Sequence, residues 1–365
     1  MAYKVLISGG GTGGHIFPAI AIANTIKEKH PDTQFLFVGA RGKMEMEKVP
    51  AAGYEIIGLN ITGIQRKLSL SNLMFPFKLL GSLLKARSII KSYKPDVVVG
   101  VGGFASGPVL RMATWMGIPS LIQEQNSFAG ITNRWVAGSV DRACVAYDGM
   151  EKFFPADRII KTGNPVRKDV VQIEGKREKA LQEYGFSADK PVVLVVGGSL
   201  GARSINKALQ KDVQRLLDAD MQVLWQTGKL FKTETEEILS RIQSPSLVMR
   251  EFIFEMDMAY AAADMVISRA GAIAVSELCL IGKPTILVPF PFAAEDHQTQ
   301  NALALVNTNA AIMVKDTDAS ETLVSTLLEL GGNEEKRAEL SEKILKHGLP
   351  NAASDIANHV ITLVR

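Results

Sequence analysis

The chain predicts an α/β protein of two doubly wound, Rossmann-like parallel-sheet domains facing a central cleft. Three observations carry that expectation. Short Val/Ile-rich runs alternate with segments of helical period, the pattern of a parallel sheet covered on both faces. A glycine-rich turn between a strand and a helix occurs twice, as Val5-Leu6-Ile7-Ser8-Gly9-Gly10-Gly11-Thr12-Gly13-Gly14 and as Val193-Leu194-Val195-Val196-Gly197-Gly198-Ser199-Leu200-Gly201-Ala202. With 365 residues, 47% of them hydrophobic, the chain also exceeds the ~250–300 residues at which one core stops growing.

In the first half, strand-like runs fall at residues 4–10, 35–39, 54–59, 97–102, 120–123, 143–147 and 159–162, with helix-period segments at 16–29, 72–92 and 109–116. Gly163-Asn164-Pro165 then interrupts the pattern. Proline cannot continue a ladder and glycine can absorb a rotation, so this is the expected linker, closing an N-terminal domain of residues 1–165. Alternation restarts at 191–197, 222–227, 247–250, 265–268, 285–289 and 311–314, giving a second domain over 166–350. The end is helical, at 321–330, 334–346 and 353–363. Its final segment, 351–365, is expected as a helix able to pack back on the first domain.

Charge is unevenly placed. Residues 1–165 carry 19 Lys and Arg against 11 Asp and Glu, whereas residues 166–365 carry 22 against 27. The first half is therefore the side expected to meet an anionic partner. Between Arg66 and Lys94 lie seven basic residues and no acid, interleaved with Leu73, Met74, Phe75, Phe77, Leu79, Leu80, Leu83 and Leu84. Such a stretch suits the surface of an anionic bilayer, although an α/β domain also needs helices with one buried apolar face. No run reaches the ~18 apolar residues of a membrane span, and no signal-peptide pattern opens the chain, so a cytoplasmic, non-integral protein is expected. Cys144 and Cys279 lie in different halves without metal-ligand spacing and read as buried, reduced thiols.

A glycine turn at a helix start can hold an anion, because a helix leaves about four N–H groups unpaired at that end and glycine lets the ligand approach the backbone. Gly9-x-Gly11-x-x-Gly14 formally matches the dinucleotide fingerprint. That reading expects an acid at the end of the second strand, which here ends Val38-Gly39-Ala40-Arg41. Arg41 would suit a 2′-phosphate, yet an NADP-linked oxidoreductase leaves the second turn unexplained. No Gly-Lys-Ser/Thr follows either turn, which excludes a Walker loop. Gly198 and Ser199 precede a helix starting near Ala202, so backbone N–H groups and the Ser199 hydroxyl are placed to hold a diphosphate, more strongly as charge develops on a leaving nucleotide. No Asp-x-Asp pair lies near either turn, and the helix dipole is the simpler substitute for a metal; no metal or cofactor is expected.

Larger motifs narrow the reading. Gly9–Gly14 with His15 and Pro18, Gly102-Gly103-Phe104-Ala105-Ser106-Gly107-Pro108, Glu124-Gln125-Asn126-Ser127 with Gly130 and Asn133-Arg134, Gly163-Asn164-Pro165-Val166-Arg167, Gly197–Ala202, Arg269-Ala270-Gly271-Ala272 to Glu277, and His297-Gln298 with Asn301-Ala302 occur in this order. Together they resemble the MurG family of peptidoglycan N-acetylglucosaminyltransferases. The resemblance implies a GT-B fold and inverting, metal-independent transfer of GlcNAc from UDP-GlcNAc to the C4 hydroxyl of MurNAc in undecaprenyl-diphosphate-linked lipid I, giving lipid II. It further implies a peripheral position on the anionic cytoplasmic membrane surface, cell-wall synthesis and division proteins as partners, and no nucleic acid.

The resemblance also distributes roles. Glu277 would accept the ribose hydroxyls, Ile253 would offer uracil its backbone amide and carbonyl, and Arg167, Ser199 and Gln298 would hold the nucleotide sugar. Thr12, Gly13, Gly14, Asn126 and the run Ala272, Ile273, Ala274, Val275 and Ser276 complete the donor set. On the acceptor side stand His15, Gly102, Gly103, Ser106, Glu124 and Asn126. His15 is the candidate base, since an inverting transfer needs one group to take the acceptor proton and the helix dipole disfavours a charged imidazole there. Gln123 stands where the family motif is expected to carry histidine, so no histidine role applies at that position. A non-catalytic nucleotide-sugar sensor and a UDP-sugar transferase acting on a diacylglycerol or small aglycone are the competing readings.

Overall fold

The computed structural model describes residues 2–63 and 74–364. The chain forms two compact units, one comprising the residues up to Val166 together with those from Leu349 onward, the other spanning Arg167–Gly348.

The first unit runs β1 (Lys4–Ser8), α1 (Gly13–Lys29), β2 (Gln34–Ala40), α2 (Glu45–Ala51), β3 (Glu55–Leu59), α3 (Phe75–Tyr93), β4 (Val97–Gly100), α4 (Ser106–Trp115), β5 (Ser120–Glu124), α5 (Ile131–Val136), β6 (Arg142–Val145) and β7 (Ile159–Lys161). Its strands form one parallel sheet in the order β3-β2-β1-β4-β5-β6-β7, with Ile7 level with Phe37 on one side and Val99 on the other. Successive side chains leave a strand on opposite faces. Val5 and Ile7 accordingly enter one core with Ile16, Ile22 and Ile26 of α1, while Leu6 enters another with Ile90, Val109 and Leu110.

The second unit runs α6 (Lys168–Val171), α7 (Arg177–Tyr184), β8 (Val192–Val196), α8 (Arg203–Asp218), β9 (Gln222–Gln226), α9 (Lys232–Arg241), β10 (Leu247–Arg250), α10 (Met256–Ala262), β11 (Met265–Ser268), α11 (Ala272–Ile281), β12 (Thr285–Leu287), α12 (His297–Val306), β13 (Ile312–Met313), α13 (Ala319–Gly331) and α14 (Glu334–Leu345). Its parallel sheet has the order β10-β9-β8-β11-β12-β13. Val193 and Val195 face one core and Val192 and Leu194 the other.

A last helix, α15 (Ala352–Ile361), belongs to the first unit and packs on α1, adding Ile356, Ala357 and Val360 to that core. Lys29 Nζ donates to Ser354 Oγ and to Asn358 Oδ1, each at 2.7 Å. The sequence boundaries shift in places. The first helix opens at Gly13 and the Pro108 helix at Ser106, because glycine and small residues there already adopt helical geometry. Both cysteines are buried and free, and burial pushes each thiol up to about 12.

Both sheets share the doubly wound order in which the chain reverses direction beside the first strand, and ligands bind at the carboxyl ends of strands at such a point. In the first unit that point lies between β1 and β4, and in the second between β8 and β11. The glycine turns Gly9–Gly14, Gly102–Gly103, Gly197–Gly201 and Gly271 follow these strands.

Candidate functional site

In the first unit the turns after β1 and β4 interlock. Gly10 N–H donates to the Gly102 carbonyl at 3.3 Å. Gly103, at φ +86°, lies so close that a Cβ would overlap the Gly10 carbonyl, and a Cβ on Gly102 would meet the His15 ring at 2.8 Å. Gly102 and Gly103 are thus required by backbone packing. His15 stands in the first turn of α1, its Nδ1 3.0 Å from the Gly10 carbonyl and 3.3 Å from Thr12 Oγ1. A carbonyl oxygen only accepts, so Nδ1 carries the proton.

No acid stands at residues 38–41, but Glu45 supplies one from further along the chain. It follows five residues after Ala40, on the first turn of α2, and folds back beneath the first glycine turn with 1% of its surface exposed. Its carboxyl oxygens accept the Gly11 and Ala40 N–H groups, each at 2.9 Å. A Cβ on Gly10 would overlap this carboxyl, and one on Gly39 would lie 2.5 Å from Glu45 Cγ. The glycine within strand β2 was the available signal, since a strand gives up side-chain packing for a glycine where another group must approach. One amide of the first turn is therefore already engaged by a carboxyl of the chain itself. Arg41, the alternative 2′-phosphate ligand, donates instead to the Gly58 carbonyl at 3.2 Å.

Two acceptor-side assignments change. Glu124 is buried, and its oxygens accept Asn126 N–H (3.0 Å), Asn126 Nδ2 (3.3 Å), Gly130 N–H (3.0 Å) and Asn133 Nδ2 (2.8 Å). Its carboxyl oxygens are engaged by its own loop, which presents Asn126. The Ser106 hydroxyl is fully buried against Gly100, so Ser106 serves as the first residue of α4. Gln123, in place of the expected histidine, donates to Asn164 Oδ1 at 3.0 Å, and Asn164 Nδ2 donates to the Gln125 carbonyl at 3.0 Å. Neutral amides thus tie β5 to the segment before Val166.

In the second unit, the turn after β8 leads into α8, whose N-cap is Ala202; among the described residues no side chain caps it, and its first turn holds no acid. Its leading N–H groups have no acceptor within the helix. Gly198, Ser199 and Leu200 are exposed above it. Gly201 at φ +83° and Gly228 at φ +78° meet backbone to backbone, fixing the turn against the end of β9. Where the first unit places a carboxylate, this unit places a neutral amide. Gln226 Nε2 donates to the Gly198 carbonyl at 3.1 Å while its Oε1 accepts Ile253 N–H at 3.0 Å. The Ile253 amide is therefore held by Gln226, whose side chain must turn away before that N–H can meet another acceptor. Arg269, after β11, donates to Ser204 Oγ at 3.1 Å and to the Val288 carbonyl at 3.0 Å, and pairs with Asp316. A guanidinium is thereby fixed beside the start of α8.

Helix α11 starts at the same strand ends. Ala272, Ile273 and Ala274 head it, whereas Val275 N–H is donated to the Gly271 carbonyl at 2.9 Å and its side chain is in the core. Val275 is thus a packing residue. Ser276 Oγ donates back to the Ala272 carbonyl at 3.0 Å, a bond internal to the helix. Glu277 is partly buried and accepts the Tyr260 hydroxyl at 3.0 Å. Burial pushes its carboxyl up to about 7, against the lowering effects of the Tyr260 bond and the Arg167 charge. Arg167 is half-exposed, 3.8 Å from Asp169. Gln298 Oε1 accepts Phe290 N–H at 2.9 Å and Asn301 Nδ2 donates to the Ala270 carbonyl at 3.2 Å, so α12 shapes the loops around α11.

Away from the turns, α3 exposes Phe77, Leu80 and Leu84, with Met74 just before it, along a helix bearing Lys78, Lys85, Arg87 and Lys91. Arg66, Lys67 and Leu73 lie outside the described residues. Among the described residues no helix is long and apolar enough to cross a membrane, and no group of three or more His, Cys, Asp or Glu is arranged to hold a metal ion.

The glycosyltransferase family 28 N-terminal domain matches residues 5–145 and the glycosyltransferase family 28 C-terminal domain residues 192–356. The UDP-N-acetylglucosamine–N-acetylmuramyl-(pentapeptide) pyrophosphoryl-undecaprenol N-acetylglucosamine transferase of Bacteroides fragilis is 54% identical over 366 residues, covering 100% of this chain and 96% of its own. That of Parabacteroides distasonis is 51% identical over 362 residues, covering 99% and 98%. Among solved structures, Acinetobacter baumannii MurG matches with a TM-score of 0.80 at 29% identity over 99% of each chain. The UDP-GlcNAc 2-epimerase of Neisseria meningitidis, bound to UDP-GlcNAc, shares the fold at 13% identity, with a TM-score of 0.67 over 99% of this chain and 100% of its own. Two parallel-sheet Rossmann-like units with these neighbours make the fold GT-B, and the chain belongs to the MurG family of N-acetylglucosamine transferases within glycosyltransferase family 28.

Proposed function

We propose that this protein transfers GlcNAc from UDP-GlcNAc to the C4 hydroxyl of the MurNAc unit of lipid I, with inversion, to give lipid II. Full-length relatives with half their residues identical support the reaction. The observation that carries the mechanism is the start of α8 at the reversal point of the second sheet, with no side-chain cap, no acidic residue in its own first turn, and the Arg269–Asp316 pair held at Ser204. Its amides and the Ser199 hydroxyl hold the donor diphosphate, and the Arg269–Asp316 pair fixes Ser204 at the helix start beside them. As the glycosidic bond breaks, negative charge grows on UDP and these fixed donors stabilise it without a metal ion. Glu277 takes the ribose hydroxyls, and Gln226 exchanges the Ile253 amide to uracil. Arg167, Gln298 and the amides of Ile273 and Ala274 lie around the sugar and its phosphates.

His15 takes the acceptor proton. With Nδ1–H committed to the Gly10 carbonyl, the neutral ring carries its lone pair on Nε2. Thr12, Gly13, Gly14 and Asn126 line the same strand ends. The test is an acceptor assay with chelator: lipid I is converted to lipid II equally with and without EDTA. A sensor shows no product, and a requirement for added magnesium removes the proposed role of α8.

The exposed apolar residues of α3, set among lysines and arginines, support peripheral docking on the anionic cytoplasmic membrane surface. Each basic residue near such a surface contributes about 1 kcal/mol. Phe77→Ser with Lys85→Glu is expected to release the protein from anionic vesicles at least tenfold. Equal sedimentation with zwitterionic and anionic vesicles contradicts the electrostatic part.

A further inference from the structure

We propose that Glu45 is a positioning residue for His15, acting through the peptide unit that joins Gly10 to Gly11. The inference rests on the reading of His15 as the base. The Gly11 N–H and the Gly10 carbonyl belong to one trans peptide, in which the two groups point in opposite directions. Glu45 accepts that N–H at 2.9 Å, and His15 Nδ1 donates to that carbonyl at 3.0 Å. A carboxyl group on one side of a rigid plane thus aims the carbonyl at the imidazole on the other.

The arrangement is over-determined. Glu45 is also anchored by Ala40 N–H at 2.9 Å and is 1% exposed. Glycine at positions 10 and 39 leaves the room it occupies, and Gly10 N–H is held by the Gly102 carbonyl. Gly10 therefore cannot turn its carbonyl away without breaking bonds on both sides.

Two consequences follow for the ring. The carbonyl selects the Nδ1–H tautomer, leaving Nε2 to receive a proton. A carboxyl accepting the N–H also polarises the peptide, and hydrogen bonds in such a chain strengthen one another. The role parallels that of the buried carboxylate that orients a catalytic imidazole directly, with one peptide interposed.

Glu45→Gln tests this. Whichever way the amide is turned, its NH2 faces one of the two backbone N–H groups, so the clamp on Gly11 or Ala40 is lost. The ring nitrogens of His15, separated from the four other histidines by comparison with His15→Gln, are read by 15N chemical shift at a pH where the imidazole is neutral. Wild-type protein is expected to show the Nδ1–H form, and Glu45→Gln a mixture enriched in Nε2–H. Its kcat is expected to fall about tenfold or more, while the dissociation constant for UDP, a probe of the second unit, stays within twofold.

A wild-type His15 in the Nε2–H form overturns the proposal without any variant, and so does an unchanged tautomer or kcat in Glu45→Leu, which offers the Gly11 N–H no acceptor in any orientation, when that variant binds UDP normally. If His15→Ala keeps near-normal turnover while the tautomer result holds, the base reading fails and the positional link stands.

Discussion

His15→Ala is expected to reduce kcat by about 10²–10⁴-fold, the range that a positioned general base contributes. Inverting displacement at the anomeric carbon makes the acceptor oxygen strongly acidic only as the new bond forms, so a proton acceptor must already be aligned. The imidazole is aligned by its bond to the Gly10 carbonyl and by contact with Gly102. Because the nucleotide is held by α8 and Glu277 in the second unit, the affinity for UDP should remain near that of the wild type. Steady-state kinetics with both substrates varied, beside UDP titration, checks both halves. Turnover within a few-fold of wild type removes His15 from the role of base.

The second large effect is at Glu277. Hydrogen bonds to a charged group are each worth about 1.5–3 kcal/mol, and two ribose hydroxyls on one carboxylate bring Glu277→Ala to a rise in KM for UDP-GlcNAc of about 10²-fold or more. The carboxyl also gives donor binding a pH dependence of definite sign. In the free protein burial raises it to about 7, so below that pH it is mostly protonated and loses acceptor capacity. Two hydroxyl donors favour the ionised form, so donor affinity should rise about tenfold from pH 6 to pH 8 and one proton should be released at the lower end. Both phosphates of UDP-GlcNAc are diesters and stay ionised throughout, which leaves Glu277 as the titrating group. The same shift sets a stability trend. An acid raised in the folded state favours folding at low pH, and that contribution is lost as pH rises from its ordinary value near 4.5 through about 7. Calorimetry of wild type and Glu277→Gln across this range checks the sign; a flat wild-type profile contradicts it.

The sheets were legible because β-branched runs and helical period are local. Each strand expected from the sequence is present, in the reversing order that puts the glycine motifs at one end of each sheet. What local pattern could not disclose is which group fills each amide. Glu45 returns across a turn to occupy the Gly11 N–H, and Gln226 reaches from β9 to the Ile253 N–H. Both are tertiary choices between an internal acceptor and a ligand. Motif membership was likewise silent on orientation. Ser106, Glu124 and Val275 lie within motif segments, but one side chain is buried, another bonds its own loop and the third fills the core. The two turns that read alike differ in this respect: the first holds a carboxyl of its own, and the second stands beside the neutral Gln226.

The most direct test is a crystal structure of the protein with UDP-GlcNAc. The diphosphate should lie on the amides that open α8, with the Ser199 hydroxyl on it, ribose on Glu277, and Gln226 released from the Ile253 amide. A nucleotide seated against Gly9–Gly14, displacing Glu45 from Gly11, would contradict the account.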